Sequence, residues 1–440
     1  MAIDAGTGSV RAVLFDLKGN QIGCSQHEWT HNEDPRFPGS MDFDWKYNWE
    51  LASGCVRNVL AETKIDPAEI AAISTTCMRE GILLYDKDGN EIWACANVDA
   101  RSNDEVAELI RMNPDLELEL YKKSGQSYAL NAIPRILWVK NNMPDIYEKT
   151  AKIGMFNDWL IYKLTGVLAV EPSNGSTTGL LDLQTRTWDT EIAAKCNLRT
   201  DIFPDILECG SISGKVTAKG ASETGLAEGT PVVVGGGDCQ LGTIGVGACK
   251  PGEAAVFGGS FWQYEFNTES GKTDPYGRVR VNCHAVPGVW QYEALAFKPG
   301  LVMRWFRDGF CQEEKRKAKE IGDDPYNLMN QAAEKIPAGC YGMMCCFSDI
   351  MNFINWKHAA PTFTNFELLP EKFNKYTFYR SILENTAMLV KGHIELVKEA
   401  TGNEPDKLIF AGGASVSDLW SQILADVTGK PVVTPVVKEA

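Results

Sequence analysis

No uninterrupted apolar run of about 18 residues occurs in the chain, so a helix that crosses a bilayer is not expected. The N-terminus has neither the basic stretch nor the apolar core of a secretory signal, and a cytoplasmic protein is expected. There are only five His, none with metal-box spacing, and the 13 Cys include no Cys-x-x-Cys pair. Reduced, buried thiols such as Cys77, Cys239, Cys345 and Cys346 are therefore expected, in place of a disulfide framework, a zinc knuckle or another transition-metal site. Basic charge is also short. Against 58 Asp and Glu stand 43 Lys and Arg, a net charge of −15 that repels nucleic-acid backbones and anionic membranes. Gly and Pro, 40 and 20 of 440 residues, are too few for a low-complexity chain. The length and the 44% hydrophobic content predict two or three domains with a large core.

What is present is an alternation of strand and helix patterns, which points to an α/β layer architecture. MAID, a glycine turn, RAVLFD, the turn LKGN and QIGCSQHEW read as a strand followed by a hairpin. Asp44 to Lys64 carries Trp45, Trp49, Ala52, Val56 and Leu60 at helical spacing, and IAAISTT and GILLYDKDGNEIW return to strand pattern. Further helices are predicted over Ile133 to Asn141 and Met155 to Leu164, and TPVVVGGGD reads as a buried strand ending in glycines. GACKPG, near Ala248 to Gly252, marks the expected domain boundary. Beyond it come the strands EAAVFGGSFWQYEF, VRVNC and VWQYEALAF, and a helix opening near Leu301. A long helix from about Phe378 to Ala400, the strand KLIFAGG and a helix from about Ser417 to Val427 close the pattern.

Both halves use one device, an apolar strand that delivers a glycine turn bearing a small polar or acidic residue. The turns are DAGTGS (Asp4 to Ser9), GGGD (Gly235 to Asp238), FGGS (Phe257 to Ser260) and AGGAS (Ala411 to Ser415). Two domains that each offer such turns suggest a nucleotide held between them. In DAGTGS, Gly6 and Gly8 would let the backbone turn sharply and bring N–H groups to phosphate oxygens. Thr7 and Ser9 add hydroxyls, and Asp4 can hold Mg²⁺ directly or through water. The competing reading is a plain hairpin turn. Asp238 follows the buried run PVVV, where a carboxylate can accept the proton of an attacking hydroxyl, and it equally suits the cap of a helix over CQLGTIGVG.

Rival nucleotide motifs fail on their spacing. A dinucleotide fingerprint needs Gly or Ala at Arg11 and a helix next, and a P-loop at Ser270 to Thr273 needs Gly at Phe266. Arg79, Glu80, Asn97, Asp99 and Arg101 can pair with the hydroxyls and carbonyls of a small polar substrate, or form an ion-pair network among themselves. Cys283 with His284 lacks a third orienting partner and reads as structural. Phe261, Trp262 and Tyr264 read as packing.

DAGTGS, the MRE around Arg79, WACANVDAR, FNDWLIYKLTG, GGGD, FGGS and AGGAS with LWSQILADVTGKPV occur in an order that resembles the FGGY carbohydrate kinases, over essentially the whole chain. Within that family the chain is most similar to the autoinducer-2 kinases. The similarity lies in CMREGILLYDKDGNEIWACANVDARS, MRWFRDGFCQEEK, FSDIMNFINWKHAAPTF and ILADVTGKPVVTPVVKEA. The resemblance implies two RNase H-like domains of the actin, hexokinase and Hsp70 type, at 1–248 and 249–440, closing over ATP and a small polyol or dihydroxy-dione. It implies Asp238 as general base, with Asp4 and Asp238 as the Mg²⁺ candidates. Gly6, Thr7, Gly8 and Ser9, then Gly258, Gly259 and Ser260, would hold phosphates, and Gly412, Gly413 and Ala414 adenosine. Arg79, Glu80, Asp99, Asp238 and Gln240 would face the substrate.

Phosphorylation is then expected at the primary hydroxyl of 4,5-dihydroxy-2,3-pentanedione. A pentulose, hexulose or glycerol kinase and a non-catalytic ATP-binding sensor are the alternatives, and a homodimer is compatible with either. Members of the family usually have a longer first strand and continue past the point where this chain stops, so a second domain shortened at its C-terminus is expected.

Overall fold

The computed structural model describes residues 1–129, 131–347 and 360–437. Most of FSDIMNFINWKHAAPTF and the last residues of the terminal motif lie outside them. The chain forms two compact units. The first comprises 1–241 with 270–272 and 281–290, and the second 242–269, 273–280 and 291–440.

The first unit is built on a six-stranded sheet. Its strands are β1 (Ala2–Ala5), β2 (Ser9–Phe15), β3 (Gln21–Glu28) and β4 (Ile73–Cys77), followed later in the chain by β5 (Ile212–Lys215) and β6 (Pro231–Gly237), in the order β5-β6-β4-β1-β2-β3. β1 and β2 form the expected hairpin, with Asp4 opposite Arg11. β1, β4 and β6 run parallel, with Asp4 beside Thr76 and Thr76 beside Gly236. Helix α1 (Trp45–Thr63) covers one face. Asp44 caps it by accepting from the N–H groups of Lys46 and Tyr47, and Trp49, Ala52, Val56, Val59 and Leu60 supply its buried stripe. Helix α2 (Ala132–Asn142) starts at the Asn131 cap, and α3 (Phe156–Thr165) brings Phe156, Trp159, Leu160 and Leu164 into the same core as α1. Burying each such large side chain is worth about 1.5–3 kcal/mol.

Gly81 is required for packing. A Cβ there would lie 2.2 Å from the Phe156 ring, so the turn after β4 can rest on that ring only as glycine. Helix α4 (Asp238–Gly245) begins directly at the end of β6.

The second unit repeats the theme around β7 (Ala254–Gly258), β8 (Trp262–Thr268) and β9 (Leu408–Ala411), which belong to another six-stranded sheet. β7 pairs antiparallel with β8 and parallel with β9, and Phe257 stands beside Ala411. Helices α5 (Pro299–Phe310), α6 (Lys375–Thr401) and α7 (Asp418–Thr428) pack around it. Trp262 and Tyr264 are core residues as expected, with the Trp262 ring 4.6 Å from that of Trp420, while Phe261 is half exposed. Among the described residues no helix is long and apolar enough to cross a membrane.

Candidate active site

Three parallel strands of the first unit end at one level. Ala5, Cys77 and Gly237 are register partners, so the next residues of each strand, Gly6, Met78 and Asp238, leave the sheet together. With neighbouring strands about 4.8 Å apart, the DAGTGS turn, the MRE turn and Asp238 share one edge, the carboxyl ends of strands where open α/β sheets bind ligands.

The DAGTGS turn is anchored from behind. Trp29 Nε1 donates to the carbonyls of Gly6 (3.0 Å) and Thr7 (3.2 Å), Trp29 N–H to that of Gly8 (3.1 Å), and Asn97 Nδ2 to Thr7 Oγ (2.9 Å). The expected glycine geometry needs correcting here. Neither Gly6 nor Gly8 adopts a left-handed φ, and a Cβ at Gly8 would meet nothing, so the turn needs glycine at neither position for its dihedrals. Asp4 accepts from Arg11 Nε at 2.8 Å, and burial lifts its pKa against the pull of that guanidinium. Ser9 opens β2.

Asp238 is the first residue of α4 and accepts from the Cys239 N–H at 2.8 Å, so it does serve the helix end. Its carboxylate still keeps 48% of its surface open, 3.4 Å from Arg79 Nε. Desolvation on its packed sides raises its pKa to about 6. The Arg79 charge works against this, and the Glu80 and Asp4 carboxylates add to it. Two carboxylates lifted chiefly by burial at one sheet edge form a hard-oxygen set that fits a Mg²⁺-type cation. Gln240 is fully buried in the same helix turn, close enough that a Cβ on Gly237 would lie 2.6 Å from its Oε1.

Glu80 stands at φ +66°, a left-handed conformation that costs a non-glycine residue about 1–3 kcal/mol. Arg135 of α2 holds it there, donating to the carbonyls of Glu80, Asn97 (2.7 Å) and Asp99 (3.0 Å). Asp99 does not present its carboxylate outward. The group is enclosed, accepting from Arg101 Nε at 2.8 Å and from the Met41 N–H at 2.6 Å, so it braces the loop. Arg101 is buried between Asp42, Asp99 and the Trp138 ring.

In the second unit, Gly258 and Gly412 leave adjacent parallel strands, and a Cβ on Gly412 (φ +87°) would lie 2.8 Å from the Gly258 carbonyl oxygen. The N-terminus of α5 closes on the same turn, since a Cβ on Gly300 would sit 2.1 Å from the Gly259 carbonyl oxygen. A cavity of about 420 Å³ opens beside them. Gly258, Gly259, Ser260, Gly413 and Ala414 line it, and Gly412 lies just behind. Arg304, whose Nη2 donates to Ser260 Oγ at 3.2 Å, places a cation on this wall, and Tyr326, Asn327 and Asn330 line another part. Backbone turns, a helix N-terminus and a guanidinium together suit a polyphosphate.

Sequence reasoning missed two contributors. Pro325–Ala333, the helix of Tyr326, Asn327 and Asn330, has no clear apolar stripe. EPSNGSTT, from Glu171 to Thr178, is wholly buried despite its polar composition; its run of small hydroxyl residues beside a lone Glu was the available signal. Cys283 and His284 are both buried, and His284 Nδ1 accepts from the Val286 N–H. Burial lowers the pKa of His284 to about 4, so the imidazole is a neutral structural group.

A pair of glycine-turned sheets, one with carboxylates at its strand ends and one beside a cavity that suits a polyphosphate, fits an ATP-dependent phosphotransferase of the actin and hexokinase fold type. The FGGY N-terminal domain profile matches residues 1–245 and the C-terminal domain profile 267–440. The chain belongs to the FGGY family of carbohydrate kinases. It is 51% identical over 441 aligned positions to the autoinducer-2 kinases of Yersinia enterocolitica and Yersinia pestis, spanning 100% of this chain and 83% of each relative. Among solved structures it is similar to a xylulose kinase of Rhodospirillum rubrum (TM-score 0.86, 23% identity, 98% of this chain and 85% of that one). It is also similar to a Plasmodium falciparum glycerol kinase with ADP (TM-score 0.85, 21% identity, 99% and 86%).

Proposed function

We propose that the chain transfers the γ-phosphoryl group of ATP to the primary hydroxyl of linear 4,5-dihydroxy-2,3-pentanedione, giving phospho-autoinducer-2. The 51% identity to autoinducer-2 kinases over the whole of this chain supports the acceptor. The chemistry is carried by one observation, the half-open Asp238 carboxylate beside Arg79 at the common end of three parallel strands. Asp238 accepts the hydroxyl proton as the oxygen attacks phosphorus and ADP leaves, while Arg79 restrains the carboxylate. Glu80 binds the acceptor, with the buried Gln240 packed behind Gly237 and Asp99 acting through Arg101 and the loop backbone. N–H groups of Gly6 to Ser9 and of Gly258 to Ser260 hold the phosphates, with Arg304 as their cation, and Gly412 to Ala414 abut adenosine. Asp4 and Asp238 would hold Mg²⁺, which would neutralise charge on the phosphates. The substrate and base functions and one phosphate turn thus fall in 1–248, and the second phosphate turn and the adenosine turn in 249–440.

Asp238→Asn should lower turnover about 10²-fold or more and leave ATP binding by calorimetry within a few-fold of the parent. Mass spectrometry of the product from ATP and the dione tests the acceptor, and preferential turnover of a ketopentose would replace it.

A further inference from the structure

We propose that Ser173, oriented by Glu171, is a positioning residue that aims Asp238; the inference rests on Asp238 as the base. The β4–β6 ladder contains a bulge, with Val233 opposite Ser74 and Gly236 already opposite Thr76, so β6 carries one extra residue just before its end. A bulge of this kind redirects the strand terminus and the side chain that follows. Close quarters force glycine into it. A Cβ on Gly235 would sit 1.6 Å from the Thr75 carbonyl oxygen, and one on Gly236 would sit 2.8 Å from Ser173 Oγ. Three successive glycines have no side chains of their own to hold the peptide before Asp238, and glycine loses the most conformational entropy when fixed. Beside the ladder to β4 and the Thr76 Oγ1 bond to the Gly236 carbonyl (3.0 Å), a tether from outside the strand adds restraint.

Ser173 supplies it. Its Oγ accepts from the Gly237 N–H at 2.9 Å and donates its single proton to Glu171 Oε2 at 2.6 Å, which turns its lone pairs toward the glycine. Glu171 is completely buried and also receives the Ser173 N–H (2.6 Å), the Asn174 N–H (3.0 Å), Asn174 Nδ2 and Cys209 Sγ (3.3 Å). Every one of these partners is a donor, so the carboxylate sets the direction of the Ser173 hydroxyl. The peptide that launches Asp238 is thereby fixed from beneath the sheet edge, by residues that touch neither substrate nor nucleotide.

A double-mutant cycle on the full 440-residue chain tests this. Ser173→Ala should lower kcat about tenfold, the scale of a sub-ångström misplacement of a reacting group, with KM for ATP within twofold. In the Asp238→Asn background the same substitution should change turnover less than twofold, because no base remains to be aimed. Glu171→Gln, which keeps the volume, should show the same dependence on background with a loss of about threefold, and it stands in if Ser173→Ala fails to fold. An equal factor in both backgrounds, or no loss in the parent, overturns the inference and leaves Ser173 a structural residue. Near-normal turnover of Asp238→Asn alone overturns the base assignment, and the inference with it.

Discussion

The Asp238 carboxyl is pushed up to about 6 because its packed sides are desolvated and two carboxylates lie near, while Arg79 offsets part of the rise. A base acts only when deprotonated, so kcat/KM should be constant above this midpoint and fall as pH drops through about 6. Arg79→Leu removes an opposing charge, and the acid limb of its pH–rate profile should move to higher pH. An unmoved limb would mean that another group titrates. Arg304 makes a different kind of contribution. Its bond to Ser260 Oγ puts a cation beside the turn proposed for phosphate, so Arg304→Ala should raise KM for ATP about tenfold, the scale of a lost charge-assisted hydrogen bond. KM for the acceptor should stay unchanged in the same assay. Asp99 shows the limit of reading single residues. Its type and position suited either a substrate contact or an ion pair with its neighbours, the family resemblance pointed to the substrate, and nothing in the sequence distinguishes a carboxylate facing a ligand from one facing an arginine two residues on.

Elements with strong periodicity were legible. The β1–β2–β3 start, α1, the strand before GGGD and α6 all follow their expected spans within a few residues, since their apolar stripes face the core. Gln312–Ile321 was not legible because charge dominates it and only Glu314 and Ala318 are buried. EPSNGSTT was hidden for the opposite reason, polar residues satisfied by one another in the interior. The glycine turns were recognised, but the reasons differ by position. Gly235 cannot accept a side chain against the Thr75 carbonyl, and Gly8 has open space. Gly235→Ala should therefore destabilise the chain by about 3 kcal/mol through forced backbone displacement, and Gly8→Ala by well under about 1 kcal/mol. Chemical denaturation of the two variants would show the contrast, and equal losses would contradict it.

Across the molecule the same geometry occurs twice. Parallel strands in register end in glycine turns at Gly6 and Asp238 in one unit and at Gly258 and Gly412 in the other. If the acceptor sits on the first unit and turns of both units hold the phosphates, scanning calorimetry should separate the two ligands. MgATP at about 100 times its Kd adds about 2.7 kcal/mol to the state that binds it, so it should raise the melting of both units, and the acceptor alone should raise that of the first. A second-unit transition unmoved by MgATP would refute this division of labour.

The register of β1, β4 and β6 also governs how activity returns after denaturation. Asp4, Arg79 and Asp238 come from distant stretches of chain and become neighbours only when two parallel pairings have formed. Such non-local contacts close slowly. On refolding, helical circular dichroism should recover well before turnover, whose time course should follow completion of the central sheet.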